Sequence, residues 1–296
     1  MDSKFTVEQT DGLDATQFTE HFVKRGKPVL IKGVLAGSAA LERWTLGYLR
    51  ERAGVSEVPL KTMYASSLEV TREPLGDYLA EIESYEACNE PGELVPRPAY
   101  LHDFPLTALI PEAAADLEQF PATYLPQWYR GTWPKFAQVF VGPTHSLTPL
   151  HFDCLLTHNL FFQVRGRKRF ILIPAWQLKF CYRRQWRWFD VDAEKPDLAR
   201  FPLYGNAQPC EVMVDPGDCL YLPPGTLHQV RSLDCAVSFN IDWHTRDSSM
   251  RGLLALARGM PLRNVYYNAV IALGIWCGIP AETLLPYYRS YLNYIS

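Results

Sequence analysis

The sequence feature that most limits the fold is a change of period after Phe136. From there to Trp243 the chain runs in short β-branched and aromatic stretches: AQVFVG (Ala137–Gly142), NLFFQVRG (Asn159–Gly166), KRFILIP (Lys168–Pro174), CEVMV (Cys210–Val214), DCLYLP (Asp218–Pro223) and CAVSFNIDW (Cys235–Trp243). A tight Gly166-Arg167 turn separates the second from the third, and VDPGD separates the fourth from the fifth. Many short strands with frequent reversals predict an antiparallel barrel or jelly roll.

The flanks follow other periods. Asp14–Arg25 has helical spacing with Asp14 as N-cap, KPVLIKGV (Lys27–Val34) reads as a short buried strand, and Ser38–Ala53 is again helical. The polar, proline-containing stretch Glu90–Pro98 predicts a surface loop, and PEAAADLEQF (Pro111–Phe120) a short helix. Helical pattern resumes after Asp247 in RGLLALAR and LRNVYYNAVIALGIW, followed by the aromatic LLPYYRSYLNYI. The expected organisation is an N-terminal α/β extension over residues 1–99, a β core over 100–246 and a helical segment over 247–296.

A chain of 296 residues with 48% hydrophobic and 21% charged content can bury a large core. Its net charge of -3 supplies no whole-protein field to draw in nucleic acid or an anionic membrane, so a polyanionic partner would need a local patch. Seven cysteines, an odd number without any CxxC pair, predict reduced thiols in a cytoplasmic protein. The charged N-terminus lacks the apolar core of a signal peptide. Val265–Pro280 is interrupted by Asn268 and falls short of the roughly 18 residues of a membrane span, so it predicts a buried or interface helix.

Candidate chemistry begins at Thr148-Pro149-Leu150-His151-Phe152-Asp153. In extended backbone residues i and i+2 share a face, so His151 and Asp153 could present an imidazole and a carboxylate together. HxD alone is common. A second segment, Gly217 to His228 (GDCLYLPPGTLH), adds a PGD turn, an apolar strand, a PPG turn and a histidine opening the next strand at the barrel mouth. Two histidines and one carboxylate make the facial triad of non-haem Fe(II) oxygenases, which leaves three coordination positions for a bidentate cosubstrate and dioxygen.

GDCLYLPPGTLH fits the second cupin motif, G(x)5PxG(x)2H, through His228. Together with HxD, NLFFQVRGRKRF and FNIDW it resembles the Jumonji-C hydroxylases of the cupin superfamily, especially asparaginyl hydroxylases of the factor-inhibiting-HIF type and tRNA wybutosine hydroxylases. The resemblance covers roughly Tyr100 to His244. It implies a double-stranded β-helix, an iron held by His151, Asp153 and His228, and 2-oxoglutarate and O2 as cosubstrates. By position it puts the 2-oxoglutarate lysine on Lys168, hydroxyl donors on Thr148 and Tyr100, amides near the iron and cosubstrate on Asn159 and Asn240, and a barrel-end aromatic on Trp243. One departure is CLLTH between Asp153 and Asn159, two residues more than the asparaginyl hydroxylase pattern, so that strand must bulge or start later. His158 lies in this insertion and is read as a pocket or surface histidine rather than a ligand.

The activity so implied is hydroxylation of a C–H bond of a protein side chain or other substrate, coupled to oxidative decarboxylation of 2-oxoglutarate to succinate. N-demethylation or RNA-base hydroxylation at the same centre, and a cupin that binds metal without turnover, are the alternatives. Partners are a protein, peptide or small-molecule substrate, with no membrane. RNA has local support only in the run WQLKFCYRRQWRWFDVD (Trp176–Asp192), otherwise a loop capping the barrel. Arg165, Arg167 and Arg169 around Lys168 read as the solvated side of a hairpin, and His21, His102, His145 and His244 as structural or exposed. The C-terminal helices would suit an apolar homodimer interface or packing on their own barrel.

Overall fold

The computed structural model describes residues 5–63, 68–88 and 96–292. Strands β1 (Glu8–Thr10), β2 (Val29–Ile31), β3 (Glu57–Met63), β4 (Leu68–Pro74) and β5 (Tyr100–Pro105) precede the predicted run of strands. That run comprises β6 (Ala137–Gly142), β7 (Leu147–His151), β8 (His158–Arg165), β9 (Lys168–Ile173), β10 (Cys210–Val214), β11 (Cys219–Leu222), β12 (Leu227–Ser232) and β13 (Ala236–Trp243). They form a large sheet of order β1-β2-β11-β8-β13-β6-β5-β3-β4 and a small sheet of order β10-β9-β12-β7. Apart from the parallel β1–β2 pair, the paired strands are antiparallel. Two sheets face to face, with helices outside, form the expected jelly roll.

Strict alternation sorts the side chains into an interior and two outer faces. On β9, Lys168, Phe170 and Leu172 point inward, while Ile171 and Ile173 join an outer cluster with Leu150, Phe189, Phe201 and Tyr204. On β13, Ser238, Asn240 and Asp242 face inward, whereas Val237, Phe239, Ile241 and Trp243 enter the main core under the N-terminal helices. A one-residue slip would exchange these sets, so burial on both faces fixes the register.

Two bulges interrupt the alternation where the pocket forms. Between β7 and β12, His151 pairs with His228 and Thr148 with Val230, so three steps on β7 oppose two on β12. The extra residue lets Thr148 and His151 both turn inward although they are three apart. Between β5 and β6, Leu101 pairs with Val141 and Phe104 with Val139, and the extra residue is Asp103, at φ 60°.

The flanks carry the expected helices with shorter bounds. Asp14 accepts from the backbone N–H of Thr16 and Gln17, and Gln17 caps back, which is a capping box opening Ala15–Phe18. Ser38–Ala53 is two helices, Ala39–Arg43 and Leu46–Ala53, because Trp44 leaves helical geometry (ψ 62°) and Thr45 caps the second. In Pro111–Phe120 only Ala113–Asp116 is helical. The β3–β4 hairpin and the helix Leu75–Ala87 have no counterpart in the sequence reading: β4 alternates without an apolar face, so its period carries no burial signal. Most of Glu90–Pro98 lies outside the described residues, and 96–98 has no regular structure. Leu262–Cys277 is a helix that buries Tyr267, Val270 and Ile271 on the barrel, with Gly274 receiving the Trp128 ring. Among the described residues no helix is long and apolar enough to cross a membrane, and all seven cysteines are free.

Gly166 illustrates how the β8–β9 turn is fixed. It sits at φ 67°, and a Cβ there would collide with the Cys235 carbonyl oxygen. Gly166→Ala should therefore lower unfolding free energy by about 2 kcal/mol or more, read from denaturant midpoints with an unchanged slope. An Ala variant as stable as the parent would refute this account of the turn.

Candidate active site

His151 closes β7, Asp153 follows two residues later in the loop, and His228 is the second residue of β12. Because His151 and His228 are cross-strand partners, their ring centroids lie 4.2 Å apart, and Asp153 Oδ1 is 3.7 Å from His228 Nε2. One ligand atom from each residue lies within 4.8 Å of the others, the only such His/Cys/Asp/Glu group found among the described residues.

The histidine tautomers are set by the backbone. His151 Nδ1 lies 2.7 Å from the Pro149 carbonyl oxygen and His228 Nδ1 3.1 Å from that of Thr226. A carbonyl only accepts, so both Nδ1 atoms carry the proton and both Nε2 lone pairs are left for a metal. Burial, then the neighbouring His228, holds His151 well below the usual imidazole range and thus neutral. Asp153 is braced by Asn159, whose Nδ2 donates to Asp153 Oδ2 at 3.2 Å, on the side away from the Oδ1 that faces His228. Two imidazole Nε2 atoms and a carboxylate oxygen converging on one point suit a divalent transition ion.

Below this group sits Lys168, 1% exposed. Its Nζ donates to Tyr100 Oη at 2.7 Å and to Ser238 Oγ at 2.8 Å, and lies 5.1 to 5.4 Å from the centroids of Phe161, Tyr100 and Phe140. Burial pushes the ammonium down to about 7, with Asp103 the one charge opposing that shift, while burial drives the Tyr100 phenol well above its usual value. Gly142 makes this arrangement possible, since a Cβ there would meet the Tyr100 ring at 2.5 Å. Thr148 lines the same cavity, opposite Val230.

The sequence-predicted residues Tyr100, Thr148, His151, Asp153, Asn159, Lys168, His228 and Asn240 all line one cavity that opens to solvent. Asn159 is drawn to Asp153, and Asn240 Nδ2 lies 3.4 Å from Asp242 Oδ1. Trp243 lies outside the cavity, on the opposite face of β13. His158 is neither in the pocket nor on the surface: β8 starts one residue earlier than expected, turning His158 outward to stack on Trp243 at 4.3 Å and to reach Tyr221 Oη at 2.7 Å. The two extra residues are absorbed by a turn at Cys154-Leu155 and by Leu156 at φ 58°.

Several pocket residues escaped the sequence reading. Asp242 shares a face with Asn240 in the cavity, a signal present in the alternation of CAVSFNIDW, and Ser238, behind the cavity wall on the same face, accepts from Lys168. His102, expected to be structural or exposed, lines the cavity beside Asp103, and Arg187 reaches it from the Trp176–Asp192 segment. That segment covers the barrel: Trp186 Nε1 donates to the Cys154 carbonyl, Trp188 packs 5.1 Å from His151, and Arg187 stacks on Trp188. Arg183 is spent on the Gln185 and Trp186 carbonyls, and Arg184 pairs with Asp190. Around Lys168, Arg167 pairs with Asp234 and Arg169 with Glu194.

The family model for the cupin-like domain matches residues 15–249. Among curated proteins the chain is 26% identical over 249 residues to the human tRNA wybutosine-synthesizing protein 5, covering 80% of this chain and 77% of that one. It is 27% identical over 256 residues to the Drosophila melanogaster Jumonji C domain-containing protein 5, spanning 81% of this chain but only 60% of the relative. Over 154 residues it is 31% identical to the Gallus gallus 2-oxoglutarate and iron-dependent oxygenase JMJD4, 49% of this chain and 35% of that protein. With a family match over most of its length and a His-Asp-His cluster inside a jelly roll, the chain belongs to the cupin-like, Jumonji-C family of Fe(II)- and 2-oxoglutarate-dependent oxygenases.

Proposed function

We propose that this protein hydroxylates a C–H bond of a protein side chain, using Fe(II) held by His151, Asp153 and His228 and 2-oxoglutarate anchored by Lys168. The observation that carries the reading is the pairing of a complete His-Asp-His cluster with a buried lysine in one cavity. When bound, the iron would activate dioxygen as oxidant, with 2-oxoglutarate supplying two electrons and leaving as succinate and carbon dioxide, one oxygen atom passing to succinate and one to the substrate. The chain supplies geometry. Carbonyl-bonded Nδ1 atoms keep both imidazoles aimed, and Asn159 leaves one carboxylate oxygen of Asp153 for the metal.

Lys168, Tyr100, Ser238 and Thr148 form a polar floor amid Phe140, Phe161 and Phe170 that fits a distal carboxylate. An ammonium that costs free energy while buried alone favours the charged form once a carboxylate neutralises it, so binding is coupled to protonation. A module that only stores metal has no use for such a floor. Protein is favoured over RNA because the three cations that could line a nucleic-acid path are engaged within the chain: Arg183 by internal carbonyls, Arg184 by Asp190, and Arg187 buried over the Trp188 ring. Demethylation would use the same centre and differs only in the substrate presented to it.

Three outcomes follow from this arrangement. His151→Ala or Asp153→Ala should abolish both the weak visible charge-transfer band of anaerobic Fe(II) with 2-oxoglutarate and the slow aerobic release of succinate. Lys168→Met should weaken 2-oxoglutarate binding by about 30-fold or more, the worth of a charge-assisted bond, with little change in metal affinity. Retention of full cosubstrate affinity in that variant would remove Lys168 from the site. Gly142→Ala, by displacing Tyr100, should weaken 2-oxoglutarate binding in the same direction but less.

Affinity should also depend on pH with a definite sign. Below about 7 the Lys168 ammonium is already present and affinity is flat; above about 7 it must be protonated on binding. The 2-oxoglutarate dissociation constant should therefore rise by up to ~10-fold per pH unit above that point, with proton uptake visible by calorimetry in buffers of different ionisation enthalpy. The neighbouring Tyr100 phenol stays neutral through this range, and Asp103 stays ionised. Affinity that held constant to pH 9 would contradict a lysine anchor of lowered basicity.

A further inference from the structure

The oxygenase reading leaves a buried cluster at the cavity unused: His102 and Asp103, which line it beside Arg187, and Lys61, which pairs with Asp103 from behind the wall. β5 places Tyr100 and His102 on the same face, with Tyr100 at the Lys168 floor and His102 one step further along the strand. His102 Nδ1 lies 2.7 Å from Asp103 Oδ2, and Lys61 Nζ lies 3.3 Å from the same oxygen. Burial, opposed by Asp103, pushes the His102 imidazolium down to about 4, so the ring is neutral. Burial works to raise the Asp103 carboxyl, but the Lys61 charge and the hydrogen bond from His102 hold it well below the usual range. An ionised carboxylate only accepts, so Nδ1 of the neutral ring carries the proton and Nε2 is a bare acceptor. The ring makes edge-to-face contacts with Tyr100 and Phe140, at centroid distances of 5.1 and 4.8 Å, which fix its plane.

Asp103 pays a conformational cost to stand there. It occupies the left-handed region at φ 60° as the extra residue of the β5–β6 bulge, and its backbone carbonyl accepts from Gln138 Nε2 at 3.4 Å. A non-glycine residue in that conformation beside a cavity, with a nearly fully buried lysine aimed at its carboxylate, is a built device. Two further acceptors lie in the same cavity: the Oδ1 atoms of Asn240 and Asn159 are buried without any hydrogen-bond partner. Buried acceptors left unmatched cost about 1–3 kcal/mol each unless a ligand brings donors to them.

We infer that His102 is a substrate-recognition residue whose Nε2, together with the Asn240 and Asn159 carbonyl oxygens, accepts hydrogen bonds from an N–H-bearing planar group, a carboxamide or guanidinium of a protein side chain. Asp103 is a positioning residue that fixes the His102 tautomer, and Lys61 pins Asp103. The inference rests on the oxygenase reading only for the identity of the neighbouring metal and cosubstrate. A hydroxyl or apolar side chain would satisfy at most one of the acceptors, so the cluster selects for nitrogen donors.

The test uses the full chain loaded with Zn(II), an inert stand-in for Fe(II), and 2-oxoglutarate, with ¹⁵N-labelled histidine. The probes are the N-acetyl, N-methylamide derivatives of arginine, asparagine and norleucine. The His102 signals, assigned by their absence in His102→Gln, should show a protonated Nδ1 and an unprotonated Nε2 throughout pH 6–8. The arginine or asparagine probe should shift Nε2, and the norleucine probe should not. His102→Leu should weaken the bound probe by about tenfold, and His102→Gln, which keeps a side-chain acceptor, should recover part of that loss. Asp103→Ala should let both tautomers appear, a change that a purely structural role for Asp103 would not bring. Equal response to norleucine, no response to any probe, or a protonated Nε2 would each overturn the inference. Loss of the Fe(II)–2-oxoglutarate charge-transfer band in the parent protein would instead overturn the cosubstrate reading, and the probe measurements, made without turnover, would be scored apart from it.

Discussion

The site depends on the antiparallel pairing of β7 with β12. That ladder makes His151 and His228 cross-strand partners, and the bulge at Pro149-Leu150 supplies the extra residue that turns Thr148, His151 and Asp153 toward one point. Without the bulge, strict alternation would send Thr148 and His151 to opposite faces, and the two could not line one cavity. The carbonyls that hold the imidazole protons, those of Pro149 and Thr226, belong to the backbone two residues before each histidine. Ligand aim is thus a local property of the strand ends and survives changes in distant packing.

A second constraint is electrostatic. The cavity interior holds a lysine nearly closed off from water, surrounded by aromatic rings and two hydroxyls. Ring faces and hydroxyl oxygens offset only part of the lost hydration, which is why Lys168 is held with its basicity lowered to about 7. The same residue in a stable core would be a defect; on the function proposed above, the unmet charge is what a dicarboxylate would neutralise. The jelly roll tolerates it because the outer faces of both sheets are packed independently, one under the N-terminal helices and one under residues 175–207.

How much of this was legible follows from which signals are local. Six of the eight strands from β6 onward were legible because turn residues bound them and they are buried on one face or both. By contrast, β7 and β12 were signalled only by HxD and by a histidine opening a strand, and GDCLYLPPGTLH pointed to His228 through its match to the second cupin motif. The Asp14 cap was visible because its partner Gln17 is three residues away. The β3–β4 hairpin was not, because β4 is an edge strand with intermediate and exposed residues in alternation and no apolar face. His158 was misplaced because the sequence shows an insertion but not how Leu156 takes it up, and one residue of strand phase decides which face a side chain joins.

His102 was missed for a different reason, and the reason is instructive about such pockets. Its neighbours in the cluster are Asp103, adjacent in sequence, and Lys61, brought in by pairing of β3 with β5. Neither β3 nor the positive φ of Asp103 can be read from composition, since aspartate is common in ordinary turns and the bulge exists only against β6. Metal ligands are constrained by a fixed geometry that recurs as a motif, whereas a residue that recognises substrate is constrained by whatever the substrate offers. The signature from which that role is inferred for His102 is therefore found only in three dimensions: a cavity-lining ring hydrogen-bonded to an Asp103 of costly backbone, in a cavity where the Asn159 and Asn240 acceptors lack partners.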